Sequence, residues 1–404
     1  MTPKRGPAHP AIFPFSRIRK VAPLALATMA SQSLVVVLAP TMVEVSRDFE
    51  VSVGVVGQAR TVTAATAIVT SIALTAVIDR LGIRPLLVAG AVLGVAGSAA
   101  TAAAPSLAAF LAAQVLTGAG LAGLLSAGFA GVAAFSESER AWAMGQVVAA
   151  QALAWIVVSP ITGVLTEAFS WRATYAIPTG IALAALIASR SAPAISAADA
   201  PGLRVGPWKV LADRSARRWV VAELAGYISW AANLTFLGAF LIQWYGISES
   251  LAGAVLGLGA AAFFASSTRS TSVARHFPRR DLAAVASVGT GIFVVLQFMF
   301  APALWVTAVL FCVVGVCAGV RNPASGAFGL AQLPHQPGVM MSGRTAVVQA
   351  GYLLGALLGG AVLAAATYGA LGALLALGMF TSAALMMRVG RMNSSTAAGG
   401  VHDR

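Results

Sequence analysis

Charged side chains are what this sequence has least of. Of 404 residues only 10% are Asp, Glu, Lys or Arg, while 58% are hydrophobic. Soluble domains carry about 25% charged residues, so a water-facing globular surface is excluded. Cysteine is almost absent. Cys312 and Cys317 stand five apart in one apolar stretch, on different helical faces, which excludes a disulfide or a cysteine metal pair between them. The four histidines, His9, His276, His335 and His402, fall in tails or connections and give no metal site. The sequence shows no His-Glu zinc motif, no Gly-rich phosphate loop and no nucleophile–base set. It also carries no nucleotide-binding domain. An enzyme, a cofactor or metal protein, and an ATP-driven pump are therefore not expected.

What the chain has is long apolar runs. Crossing a bilayer takes roughly 20 apolar residues. Twelve stretches qualify: 21–43, 53–78, 85–103, 107–133, 141–165, 171–188, 219–241, 251–268, 282–300, 303–324, 344–366 and 368–387. They are continuously apolar rather than alternating, which predicts helices and not a barrel. The expected fold is an all-α polytopic membrane protein with two six-helix bundles. Residues 1–20 form a cytoplasmic tail, 21–188 one bundle, 189–218 a cytoplasmic linker, 219–388 the second bundle and 389–404 a second tail. No small-residue cleavage site follows the first run, so it reads as a retained helix. Within the linker, a short surface helix is expected near Trp208–Arg218.

The net charge of +13 could indicate nucleic acid, but its distribution excludes that reading. The basic residues gather in the tails and in alternate connections. The opposite connections hold Arg47 and Arg172 beside Glu44, Asp48, Glu50, Glu167 and Glu249. This is the positive-inside pattern and predicts both termini in the cytoplasm. Attraction of the basic loops to anionic lipid is a secondary effect.

The two halves repeat. Asp79-Arg80-Leu81-Gly82-Ile83-Arg84, a charged turn between the second and third stretches, returns in degraded form as Arg275-His276-Phe277-Pro278-Arg279-Arg280. Ala104-Pro105 matches Ala301-Pro302, Gly118 matches Gly315, and Gly145 with Gln151-Ala152 matches Gly343 with Gln349-Ala350. The common offset of about 197 residues marks a duplication.

These features resemble the major facilitator superfamily over residues 20–390. Its signature G-x-L-a-D-R-x-G-R-K stands here as Thr75 to Arg84; Asp79, Arg80, Gly82 and Arg84 match, Thr75 replaces the leading glycine and Ile83 a basic residue. Ser170-Trp171-Arg172-Ala173-Thr174-Tyr175 is similar to the family's aromatic-Trp-Arg element. The resemblance implies that the Asp79 turn latches the cytoplasmic side closed in the outward-facing state; the turn's charges also serve simply to fix topology. Ser159-Pro160-Ile161-Thr162-Gly163 in the fifth stretch resembles the G-P-x-x-G antiporter core and favours export, or else it is ordinary small-residue packing. Gln114 stands where exporters often carry arginine, which removes a cation able to modulate a nearby carboxylate.

Two ionisable residues sit inside stretches, where each costs about 2.5–3.5 kcal/mol or more. Arg60 is expected either to pair with Glu44 or Glu50 in an outer gate or to bind an acidic group of the substrate. Glu223, read as one turn into the seventh stretch, is expected either to pair with Arg218 at the membrane edge or to carry protons. The resemblance implies a path lined by the first, fourth, seventh and tenth stretches. These offer Ser31, Gln32 and Ser33; Gln114; Tyr227, Trp230 and Asn233; and Arg321 with Asn322. Gln146, Gln151, Gln297, Gln349 and Tyr352 add further polar groups.

The expected function is a proton-driven exporter of small, largely apolar drugs or metabolites, working by alternating access. The runner-up is an organic-anion transporter or facilitator using Arg60. A non-transporting sensor or enzyme is a remote third. The chain is expected to be a monomer in a bacterial-type inner membrane, contacting a small-molecule substrate, protons and lipid.

Overall fold

Helix is what a backbone must adopt when no water is present to satisfy its polar groups. The computed structural model describes residues 15–192, 212–274, 276–332 and 337–389; for 15–17, 75–81, 137–138, 141, 271, 337–339, 341–342 and 345 it describes the backbone alone. Thirteen α-helices make up most of the described chain: α1 (Phe15–Val36), α2 (Leu38–Asp48), α3 (Val53–Leu81), α4 (Ile83–Ala102), α5 (Leu107–Ala130), α6 (Glu137–Ala168), α7 (Ala176–Ala188), α8 (Arg214–Tyr245), α9 (Glu249–Val273), α10 (Arg279–Met299), α11 (Leu304–Leu330), α12 (Pro337–Ala365) and α13 (Tyr368–Arg388). Eleven spans among the described residues are long and apolar enough to cross a membrane, and α3, at 29 residues, is a twelfth by length.

The expected stretches differ from the helices mainly at their ends. The first continues to Asp48 as two helices broken at Val37. Pro40 has no N–H to offer the Val36 carbonyl, which accounts for the break. α8 starts at Arg214, where the Asp213 side chain accepts from the Ala216 N–H at 2.7 Å. α12 starts seven residues before the expected boundary. Of the linker's expected surface helix, 208–211 lie outside the described residues, 212–213 are not helical, and 214–218 form the start of α8.

α1–α7 pack chiefly among themselves, as do α8–α13, and the packing repeats. The pairs α3·α5, α4·α5, α4·α7, α1·α6 and α1·α7 have counterparts in α9·α11, α10·α11, α10·α13, α8·α12 and α8·α13. This is the pseudo-twofold of the duplication expressed as contacts. In lipid no hydrophobic gain drives helix against helix, so close approach of small residues does. α4 and α5 show it: a Cβ on Gly90 would lie 2.6 Å from the Leu124 amide nitrogen. Large apolar side chains such as Val69, Ile187 and Val285 are exposed outward. Trp244, Trp305, Phe169 and Phe300 are exposed near one set of helix ends, as residues of a membrane-interface belt are.

That set of ends carries Glu44, Asp48, Glu50, Glu167 and Glu249 and is called the acidic side here; the opposite ends form the basic side. The halves meet through α2 on α8, α3 on α12 and α6 on α9. Near the acidic side one apolar cluster runs through both halves, joining Met42, Phe110 and Trp171 to Phe236, Phe240 and Phe298. Toward the basic side the core divides. Leu86, Leu87 and Leu124 belong to a cluster of the first half, and Trp219, Phe328 and Met386 to one of the second.

Candidate functional site

The seam between the halves locates the site. A Cβ on Gly54 would strike the Gly360 carbonyl, one on Gly163 the Glu249 carbonyl, and one on Gly238 the Ala39 carbonyl. Glu167 faces Ser248 and Ser250 across the same seam. All of these lie within nine residues of the acidic ends of their helices, so the halves are sealed together there.

Beneath the seal lies Arg60. It is the eighth residue of α3, roughly 10 Å below the acidic end at 1.5 Å per residue. The residue is 4% exposed, and its Nε and Nη2 have no hydrogen-bond partner. Its guanidinium lies 5.7 Å from the Trp155 ring centroid and 5.8 Å from that of Tyr352. Trp155 belongs to α6 and Tyr352 to α12, so both halves contribute. Trp155 Nε1 donates to Gln32 Oε1 at 3.0 Å, which holds the indole in place. Neither Glu44 nor Glu50 approaches Arg60; its ionisable neighbours are Tyr352 and Tyr175. The outer-gate pair expected from sequence is therefore not formed. Two cation–π contacts, each worth about 2 kcal/mol or more when desolvated, offset part of the several kcal/mol for desolvating the ion but give Nε and Nη2 no acceptor. The cation is incompletely compensated.

A second polar cluster lies inside the other half. Glu223 is fully buried, ten residues into α8 rather than one turn in, because α8 begins earlier than expected. Its Oε1 accepts from Arg321 Nη2 at 2.9 Å and from Ser325 Oγ at 2.6 Å. Arg344 Nε lies 3.9 Å from Glu223 Oε2, and both of these atoms lack a hydrogen bond. Arg321 also donates to Ser287 at 2.9 Å and Ser382 at 3.0 Å. Tyr227 donates to Asn322 Oδ1 at 2.8 Å, and Arg344 donates to Tyr227, at 3.1 Å, and to Asn322. One carboxylate thus faces two guanidiniums. The expected partner Arg218 is elsewhere: it donates to the Arg388 carbonyl at 3.2 Å. Beside the cluster, Tyr227, Trp230, Phe263 and Arg321 border a void of about 10 Å³, room for one water at most. Trp230 is stacked on Phe263, with centroids 5.4 Å apart.

Other expected residues are taken up by packing. Gln114 accepts from Thr63 at 3.1 Å and donates to Thr101 at 3.2 Å, tying α3, α4 and α5 together. Asn233 accepts from Gln297 at 3.0 Å inside the second half. Ser31 and Ser33 donate to carbonyls of their own helix, at 2.7 and 2.8 Å. Gln349 is half-buried on α12.

The Asp79 and Arg80 side chains lie outside the described residues. Gly82, at φ 75° and ψ 176°, makes the turn into α4 in a region essentially reserved for glycine, and Arg84 is exposed. Ser159 and Pro160 sit on the seam against Gly253 and Gly257 of α9, and Gly163 completes that strip. Arg172 pairs with Asp48 at 2.8 Å and lies 4.3 Å above the Trp171 ring, bracing the acidic side of the first half. The dent of about 340 Å³ beside this pair opens to the acidic surface, outside the seal.

Sequence reasoning missed two participants. Arg344 fell at the edge of its expected stretch and was absorbed by the positive-inside pattern. Trp155 carried no polar signal at all. A buried cation whose Nε and Nη2 lack acceptors thus stands at the sealed end of the two-half seam, with one ring from each half beside it. Residues 23–283 match the family model described as Major Facilitator Superfamily. No curated protein matches the chain.

Proposed function

The chain belongs to the major facilitator superfamily, and from that premise we propose that it is a secondary active transporter exporting small, largely apolar compounds in exchange for protons. It sits in a bacterial-type inner membrane with the basic side, and both termini, in the cytoplasm. The observation that carries this reading is the division of the core: the halves share one apolar cluster at the acidic side and separate clusters at the basic side. In this orientation that is the inward-facing member of an alternating pair. Rocking the halves about the seam opens the acidic side and closes the basic one.

Export is supported by where Ser159, Pro160 and Gly163 lie. The proline of α6 packs against Gly257 of α9 at the surface where the halves must shift. Proton coupling is supported by Glu223, the fully buried carboxylate among the described residues. Its Oε1 is engaged twice, while its Oε2 has no hydrogen bond and lies 3.9 Å from Arg344 Nε. Neutralising the carboxylate removes its attraction for the nearby guanidinium, and protonation therefore goes with withdrawal of Arg344 on α12, a helix of the seam. This links the proton to the movement.

The test uses inverted vesicles from an efflux-deficient host, energised acid inside and offered cationic, neutral and anionic compounds. Accumulation abolished by an uncoupler is expected. Uncoupler-insensitive equilibration would make the protein a facilitator, and flux only in the opposite sense an importer.

A further inference from the structure

We propose that Arg60, Trp155 and Tyr352 form the binding site for a monoanionic, carboxylate-bearing amphipath, whose carboxylate meets the Arg60 guanidinium and whose apolar body lies against the two rings. The inference rests on the transporter reading and narrows its substrate class. Arg60 is 4% exposed with Nε and Nη2 unpartnered, and no carboxylate stands among its ionisable neighbours, Tyr352 and Tyr175. A guanidinium presents its donors in a planar fork that fits a carboxylate bidentately. The protein supplies one half of that pair and withholds the other.

Placement strengthens the assignment. The residue lies six positions along α3 from Gly54, whose backbone meets Gly360 of the other half. Its walls come from α6 of one half and α12 of the other, so a ligand held there touches both moving bodies. The indole is fixed by Gln32 and presents its face, not its N–H, to the cation. One cation with aromatic walls suits a single negative charge on a flat or slender apolar body. A second negative charge at the same point would find no partner in the cage.

The closing experiment measures equilibrium binding to the purified full chain in phosphatidylcholine nanodiscs, which offer no anionic lipid to compete. The probes are 2-naphthoate and octanoate, each against its own neutral amide. Each carboxylate is expected to bind about tenfold or more tightly than its amide. Arg60→Gln is expected to erase that preference, and Arg60→Lys to keep part of it. Size-exclusion profile and helical circular dichroism report whether each variant is folded; should Arg60→Gln fail to fold, Arg60→Lys decides, since a carboxylate preference unchanged from wild type would deny the guanidinium its role. Equal binding of acid and amide, or a preference that survives Arg60→Gln, overturns the proposal. Uncoupler-sensitive flux of neutral compounds without carboxylate preference overturns this site and leaves the transporter standing. Carboxylate preference without flux in either direction supports the site and removes the transporter.

Discussion

At the scale of single residues, two buried guanidiniums on opposite sides of the seam are treated differently by their surroundings. Arg321 has a carboxylate and two serines within 3.0 Å; Arg60 has aromatic faces alone. Breaking a buried ion pair by removing one partner costs about 3–5 kcal/mol, because the other is left charged and unpaired. Arg321→Ala is therefore expected to lower the unfolding midpoint of the detergent-solubilised protein clearly. Adding Glu223→Gln should recover part of the loss, since the two positions form one network. Independent, additive losses would show that the pair is not coupled. The single change Glu223→Gln is expected to abolish uphill, pH-driven flux while leaving ligand binding in nanodiscs within a few-fold of wild type. Retained uphill flux would remove Glu223 from proton coupling.

At the scale of elements, the seam is three glycine-lined contacts, α2 on α8, α3 on α12 and α6 on α9. A side chain at Gly163 must displace the Glu249 backbone, and backbone cannot swing aside as a flexible side chain can. Gly163→Val is thus expected to prise the acidic side open. With a cysteine placed at Ala39 in a background lacking Cys312 and Cys317, a membrane-impermeant maleimide added from the acidic side should label the Gly163→Val variant several times faster than its parent. Equal labelling would mean that the seam absorbs the wedge elsewhere. At the same contact the ring of Pro160 in α6 sits over Gly257, where α9 has no side chain to oppose it.

At the scale of the whole molecule, the division of the core predicts which contacts persist through a transport cycle and which do not. The clusters inside each half move as bodies; the shared cluster near the acidic side must part. Glu167 and Ser250 belong to different halves and face each other across the seam through their side chains. A cysteine pair at these positions, joined by a short bis-methanethiosulfonate crosslinker, is expected to stop flux and a thiol reductant to restore it. A crosslinked protein that still transports would show that the acidic side need not open.

Much of this was legible in the chain alone. Twelve apolar runs, the duplication at a constant offset and the bias of lysine and arginine follow from local composition, because a bilayer imposes helix on any long apolar segment regardless of its neighbours. That Arg60 and Glu223 would be charges buried within helices was legible for the same reason: a charge in an apolar run announces its own cost. Their partners were not. Arg60 stands against Trp155 and Tyr352, 95 and 292 residues away in sequence, and Glu223 against Arg321 rather than the nearby Arg218. Gln114, polar and in the expected path, proved to be engaged in helix packing. Membrane helices announce themselves by what they exclude, water; which of their faces meet is decided by where small residues let backbones approach, and that is a property of the assembled bundle.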